Sequence, residues 1–208
     1  MSSFMTPYAP LIERGEKLLL LGAGCYFVFK NFTPVFVTHN VVACLYMAEA
    51  LLDMTFTVIR QRGPLSHNWR DWLVAVLGTY ASLLVVAAPQ APPVLPSVLC
   101  GSLALIGILL SLAAKLSLRR SFGIIAASRQ LKTGGPYRVI RHPMYAGYLL
   151  MQMAFLLQYP TIHNTVVLLF TWWMQIMRIR AEEKILGTRK EWVDWSQGVK
   201  WKLFPFVF

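Results

Sequence analysis

Two long uncharged blocks constrain this chain more than any other feature. No Asp, Glu, Lys or Arg occurs from Trp72 to Ala114, or from His142 to Met177. A soluble fold of 208 residues cannot cover blocks of that length, whereas bilayer-crossing helices require them. Charged residues make up only 14% of the chain, against roughly 25% in soluble domains. The expected fold is all-α: a polytopic membrane helical bundle of about six transmembrane helices that ends in a C-terminal helical hairpin.

The six expected spans are Leu11–Phe29, Val35–Ile59, Trp72–Ala88, Ser97–Leu118, Pro143–Leu157 and Ile162–Met177. The proline-rich run "PQAPPVLP" ends the third, because proline cannot continue a helix. The formal net charge of +11 does not point to nucleic acid. Fourteen of the twenty Lys and Arg lie from Lys115 onward, in segments that flank apolar spans. That pattern marks cytoplasmic loops under the positive-inside rule and suits anionic lipid headgroups. It places both termini in the cytoplasm, with Lys30 in an outside loop as a mild exception. The membrane is then a bacterial inner membrane, or the endoplasmic reticulum in a eukaryote. Cys25, Cys44 and Cys100 are scattered through apolar stretches and make neither a disulfide framework nor a metal site. No cleavable signal peptide and no internal repeat is expected.

The block His142–Met177 is 36 residues long, about 54 Å of helix at 1.5 Å per residue. Two crossings of a ~30 Å core need about 60 Å plus a turn. The expected result is a short tilted hairpin turning at Tyr159–Pro160, with its two ends side by side. "GGPYRVIRHP" then lies next to "RIRAEEKIL", although the two are far apart in sequence.

What these ends can bind follows from their residues. Pro143 suits the first position of a helix, and the free N–H groups of Met144 and Tyr145 make that end an anion site. Arg141 and His142 stand beside it. Gly134 and Gly135 allow close backbone approach, and Gly147 keeps one helix face thin. On the facing segment, Arg178 and Glu182 share a helical face, and Glu183 lies about 100° further round. A basic anion site opposite a carboxylate-bearing helix suits a zwitterionic ligand.

Glu49 and Asp53 sit four apart inside the second span, where ionisable residues are expensive. They either pair with arginines of the polar loops or bind a cationic substrate group. His67 reads as an ordinary surface histidine, His39 and His163 as outside-loop residues, and Met151 and Met153 as packing.

The combined pattern resembles the isoprenylcysteine carboxyl methyltransferase and phospholipid methyltransferase family of integral membrane enzymes. It consists of Gly135–Tyr137, Arg141–Gly147, an apolar hairpin, then Arg178 with Glu182, Glu183 and Leu186. The resemblance covers Lys115 to the C-terminus. It implies S-adenosylmethionine as cofactor, with Leu131, Gly135, Tyr137, Arg141, His142, Pro143, Tyr145, Gly147 and Glu183 in its site. The loop Leu131–Tyr137 would wrap the adenine. It also implies a lipophilic acceptor that enters from the bilayer, an isoprenylcysteine-like carboxylate or a lipid amine. Arg178 would hold a carboxylate acceptor, and Glu182 would serve an amine acceptor as general base. No metal is required.

On this reading residues 1–114 are helices on the substrate side, and 115–208 carry the cofactor loop, hairpin and tail. The tail departs from the family pattern. Arg189–Lys190 stand where a Phe-Gly pair is usual, and Trp192 and Trp195 stand for two tyrosines. The tail therefore reads as an interfacial aromatic belt, an amphipathic lid, or both. Two other readings of the chain are a membrane sterol or lipid reductase with a nicotinamide cofactor and a non-catalytic membrane scaffold.

Overall fold

The computed structural model of the chain describes residues 9–38, 40–59, 69–118 and 133–205. Leu131, His39 and His67 lie outside these residues, as do most of the two basic loops. The described residues hold seven α-helices and short 3-10 turns, with no strand among them. In chain order the helices are α1 (Ala9–Thr38), α2 (Val41–Ile59), α3 (Trp69–Tyr80), α4 (Ser97–Leu118), α5 (Pro143–Gln158), α6 (Ile162–Leu186) and α7 (Lys190–Gly198).

The all-helical class is as expected, and α4 has the expected bounds. α5 and α6 form the expected hairpin, with the break at Tyr159–Thr161. Outside the third span, three boundaries differ by more than two residues. α1 runs through Lys30 and Pro34 to Thr38, so Lys30 is helical rather than in a loop. α2 then starts at Val41, where the Asn40 side chain caps it by accepting from the N–H groups of Val42 and Ala43. α6 continues nine residues beyond the expected Met177, to Leu186, which puts Arg178, Glu182 and Glu183 on one continuous helix.

The third expected span is also corrected. α3 ends at Tyr80, a 3-10 turn covers Ala81–Leu84, and residues 85–88 are not helical. Val85, Ala87 and Ala88 are nevertheless buried. A buried non-helical backbone needs hydrogen-bond partners, and two asparagines supply them. Asn164 accepts from the Val86 N–H and donates to the Val86 carbonyl, both at 3.0 Å. Asn31 accepts from the Ala87 N–H at 3.0 Å. Apolar patterning registers none of this, because the partners come from distant helices.

α4 and α5 form the closest pair in the bundle. They cross at two glycines. A Cβ on Gly147 would sit 2.7 Å from the Gly107 carbonyl oxygen and 2.7 Å from the Ser111 nitrogen. Small residues let apolar helices approach to backbone contact. On its other side α4 exposes Val98, Leu105, Leu109 and Leu116 along one face. Among the described residues α4 alone is both long and apolar enough to cross a bilayer by itself. The main core lies among α1, α2, α4, α5 and α6, around Phe27, Tyr46, Ala104, Met151, Phe155 and Leu168.

Candidate functional site

The hairpin brings the two distant motifs together. At the start of α5, His142 is buried, with Nε2 3.3 Å from Glu183 Oε1 and Nδ1 3.9 Å from Glu182 Oε2. One turn along α5, the Tyr145 hydroxyl donates to Glu182 Oε1. Arg141 Nη1 donates to Glu183 Oε1 at 3.4 Å, and Lys202 Nζ lies 2.7 Å from Glu183 Oε2. Burial alone would raise the Glu183 pKa, but hydrogen bonds and charge from His142 and Lys202 outweigh it and hold the carboxyl at about 2.

The basic motif is engaged by the chain's own tail. The Arg141 side chain donates to the carbonyls of Val199 (Nε, 2.6 Å) and Ser196 (Nη2, 2.8 Å). The N–H groups of Arg141 and His142 donate to the carbonyls of Trp201 and Lys202 at 2.9 and 2.8 Å. Trp192 lies against the Arg141 guanidinium, 5.6 Å from ring centre to Cζ. Leu203, Trp201 and Phe204 pack with Ile140, Tyr145 and Ile179, and Trp195 packs near Tyr137 and Met144. The tail is therefore a strap over the motif, and its tryptophans face protein. The Arg141 guanidinium is thus engaged by Glu183 and by tail carbonyls.

Gly135 opens a 3-10 turn with φ of +60°, and a Cβ there would lie 2.6 Å from the Ser117 hydroxyl. Backbone geometry and space both call for glycine. Tyr137 in the same turn is buried. That burial, with the nearby Glu182 charge, pushes its phenol pKa well up. Pro143 occupies the first turn of α5 as expected. Gly147 keeps one face of α5 thin as expected, and the structure shows that face at the α4–α5 crossing.

A second polar group lies deeper. Among the described residues, the partner of Glu49 and Asp53 is a lysine of α4. Both reach Lys115, whose Nζ lies 2.5 Å from Glu49 Oε1 and 2.8 Å from Asp53 Oδ1. Ser111 also donates to Glu49 Oε1, and Tyr148 donates to Asp53 Oδ1 at 2.7 Å. Lys115 reads from sequence as a loop charge, yet its exposure is 0%. Sequence reasoning missed Lys115, Ser111 and Tyr148. One signal was available: Ser111 and Lys115 are four apart, as are Glu49 and Asp53, so each pair lines one helix face.

Arg178 faces the same interior from α6. It donates to Thr79 Oγ1 at 3.2 Å, and its guanidinium lies 5.1 Å from the centre of the Tyr145 ring. A cavity runs between Arg178 and the acidic residues of α2. The described residues contain no grouping of His, Cys, Asp and Glu suited to a metal ion.

The class is thus an all-helical bundle with a bilayer-compatible helix, a partly buried charge cluster at the start of α5, and a second, deeper cluster of Glu49, Asp53 and Lys115 beside a cavity. Residues 96–189 match the family model described as phospholipid methyltransferase. The matched segment runs from α4 to the end of the α6–α7 turn, and bears out the resemblance carried by the motifs. It contains every expected site residue except Glu49 and Asp53. The match implies a membrane-associated methyltransferase. No curated protein matches the chain.

Proposed function

We propose that this chain is a multi-pass membrane methyltransferase that transfers the methyl group of S-adenosylmethionine to a lipophilic acceptor. Its cofactor site lies at the cytosolic face, and both termini are cytoplasmic. One observation carries the reading: within the family-matched segment, His142 and Tyr145 of α5 meet Glu182 and Glu183 of α6. The donors Arg141, His142 and Lys202 stand among the acceptors Glu182 and Glu183. A donor-and-acceptor set of this kind fits the zwitterionic methionine end of the cofactor.

When bound, S-adenosylmethionine supplies a methyl group already activated by its sulfonium, so the protein's task is alignment and exclusion of water. Gly135 and Tyr137 form the turn that would approach the adenosine. His142 and Glu183 would orient the methionine end, with Arg141 and Lys202 holding Glu183 in place. Tyr145 orients Glu182. That carboxylate would take the proton from an amine acceptor, and Arg178 would hold the oxyanion of a carboxylate acceptor. The cavity between α2 and α6 would admit the acceptor laterally from the bilayer.

Titration calorimetry of the detergent-purified chain with S-adenosylhomocysteine tests this. Micromolar binding is expected. His142→Ala and Glu183→Gln each remove a partner from a charge-assisted contact, which costs about 1.5–3 kcal/mol, so about tenfold or greater weakening is expected. No binding by the folded chain would overturn the reading.

A further inference from the structure

One charge belongs to neither cluster. Lys30 is the only Asp, Glu, Lys or Arg between Leu18 and Ala48. Its neighbour Asn31 accepts from the Ala87 N–H, and the adjoining Val86 is held by Asn164 at the start of α6. Lys30 therefore lies at the end of the bundle where α5 turns into α6. His142, at the start of α5, stands at the other end. The second half of α1, the first half of α2, residues 81–96 and the α5–α6 turn carry no charge besides Lys30. Among the described residues its ammonium pairs with no carboxylate, and it lies 6.0 Å from the centre of the Tyr26 ring.

Lys30 edges an open groove between α1 and α2 of about 600 Å³. That volume falls within the range of small-ligand sites, roughly 300–1,000 Å³. The rest of the lining is apolar, with Phe29 and Phe32 from α1 and Leu51 and Met54 from α2. Phe29 is 82% exposed, so the groove opens onto the surface that apolar side chains present to the bilayer. An ionisable group within a span is expensive and calls for a counter-charge. The chain supplies none at this end. A single cation beside an apolar floor is complementary to an amphiphile with an acidic head.

We propose that the α1–α2 groove binds an anionic membrane lipid, with its phosphate on Lys30 and an acyl chain against Phe29, Leu51 and Met54. Cys25 also lines the groove. It stands one and a half turns from Lys30, about 7.5 Å along the helix, and would be covered by the chain. This site is separate from the cofactor cluster. It rests on the membrane setting and not on methyl transfer.

Cys25 provides the test. Cys25 and Cys44 are exposed and Cys100 is buried, and Cys44 lies outside the groove. The full chain in uncharged maltoside micelles is alkylated with N-ethylmaleimide, and the rate at Cys25 is read against that at Cys44 by mass spectrometry. Phosphatidylglycerol and phosphatidylcholine are titrated in separately. Half-protection of Cys25 is expected at about fivefold less phosphatidylglycerol, the factor that one lysine beside an anionic headgroup supplies. Lys30→Gln should erase the difference between the lipids, and Lys30→Arg should keep it. Equal protection by the two lipids overturns the proposal, as does a difference that survives Lys30→Gln. Selective protection by soluble glycerol phosphate would make this a small-anion site and also overturn it. So would protection that grows with protein concentration without lipid, which would place a second copy in the groove. S-adenosylhomocysteine affinity should be unchanged in both variants, so this test and that of the methyltransferase reading fail separately.

Discussion

Glu183 shows how one side chain can be held in its ionised form by neighbours that the sequence places 41 and 19 positions away. His142 and Lys202 hold its carboxyl at about 2, below the ordinary 4.5. A carboxylate with a depressed pKa adds stability that is present above about pH 4.5 and is lost as the pH falls towards 2. The unfolding temperature of the detergent-solubilised chain should therefore drop across that window. Glu183→Gln should be the less stable protein at neutral pH, and its deficit should shrink as the pH falls from 4.5 to 2. A constant gap between the two proteins would mean that Glu183 makes no ionic contribution. The same residue limits what Arg141 can do. With its guanidinium spread over Glu183, Ser196 and Val199, Arg141 positions the site rather than waiting open for an anion.

At the scale of elements, the α4–α5 crossing sets where α5 begins, and so where His142 and Tyr145 stand. Gly107 and Gly147 make that crossing possible. A Cβ on Gly107 would lie 2.9 Å from the Gly147 carbonyl oxygen and 2.9 Å from the Met151 nitrogen. These are backbone atoms, which cannot swing aside as a flexible side chain can. Gly147→Ala should therefore destabilise the chain by about 1–3 kcal/mol, the usual range for overpacking. It should also weaken S-adenosylhomocysteine binding, because the start of α5 shifts with the helix. Thermal unfolding and titration of the same sample check both effects. Unchanged stability would show that the helices separate freely at this point.

Across the whole molecule, the tail closes the structure by returning from α7 to the start of α5. Its two backbone hydrogen bonds to Arg141 and His142, and the Lys202–Glu183 ion pair, tie residues far apart in sequence. Deleting residues 199–208 should leave helical content nearly intact by circular dichroism, since α7 ends at Gly198. It should weaken S-adenosylhomocysteine binding by about tenfold or more, in line with loss of charge-assisted contacts worth about 1.5–3 kcal/mol. Full affinity in the shortened chain would reduce the tail to packing.

The sequence by itself determined the helical class, the bounds of α4, the hairpin of α5 and α6, and the meeting of the two polar motifs. These follow from local quantities: runs without charge, proline positions, and the length of helix that a run can make. The fate of single charges was decided only by tertiary structure. Lys115 stands at the end of an apolar run and reads as a loop residue until α2 packs two carboxylates against it. The helix expected up to Ala88 stops at Tyr80, and Asn31 and Asn164 from other helices satisfy the backbone beyond it. Gly147 reads as a thin face of α5, and only the fold shows that Gly107 of α4 packs against it. The reason is common to all three. A buried polar group is stable only with its partner and a bare glycine marks a close neighbour, but local spacing shows at most which face is involved, never which helix supplies the partner.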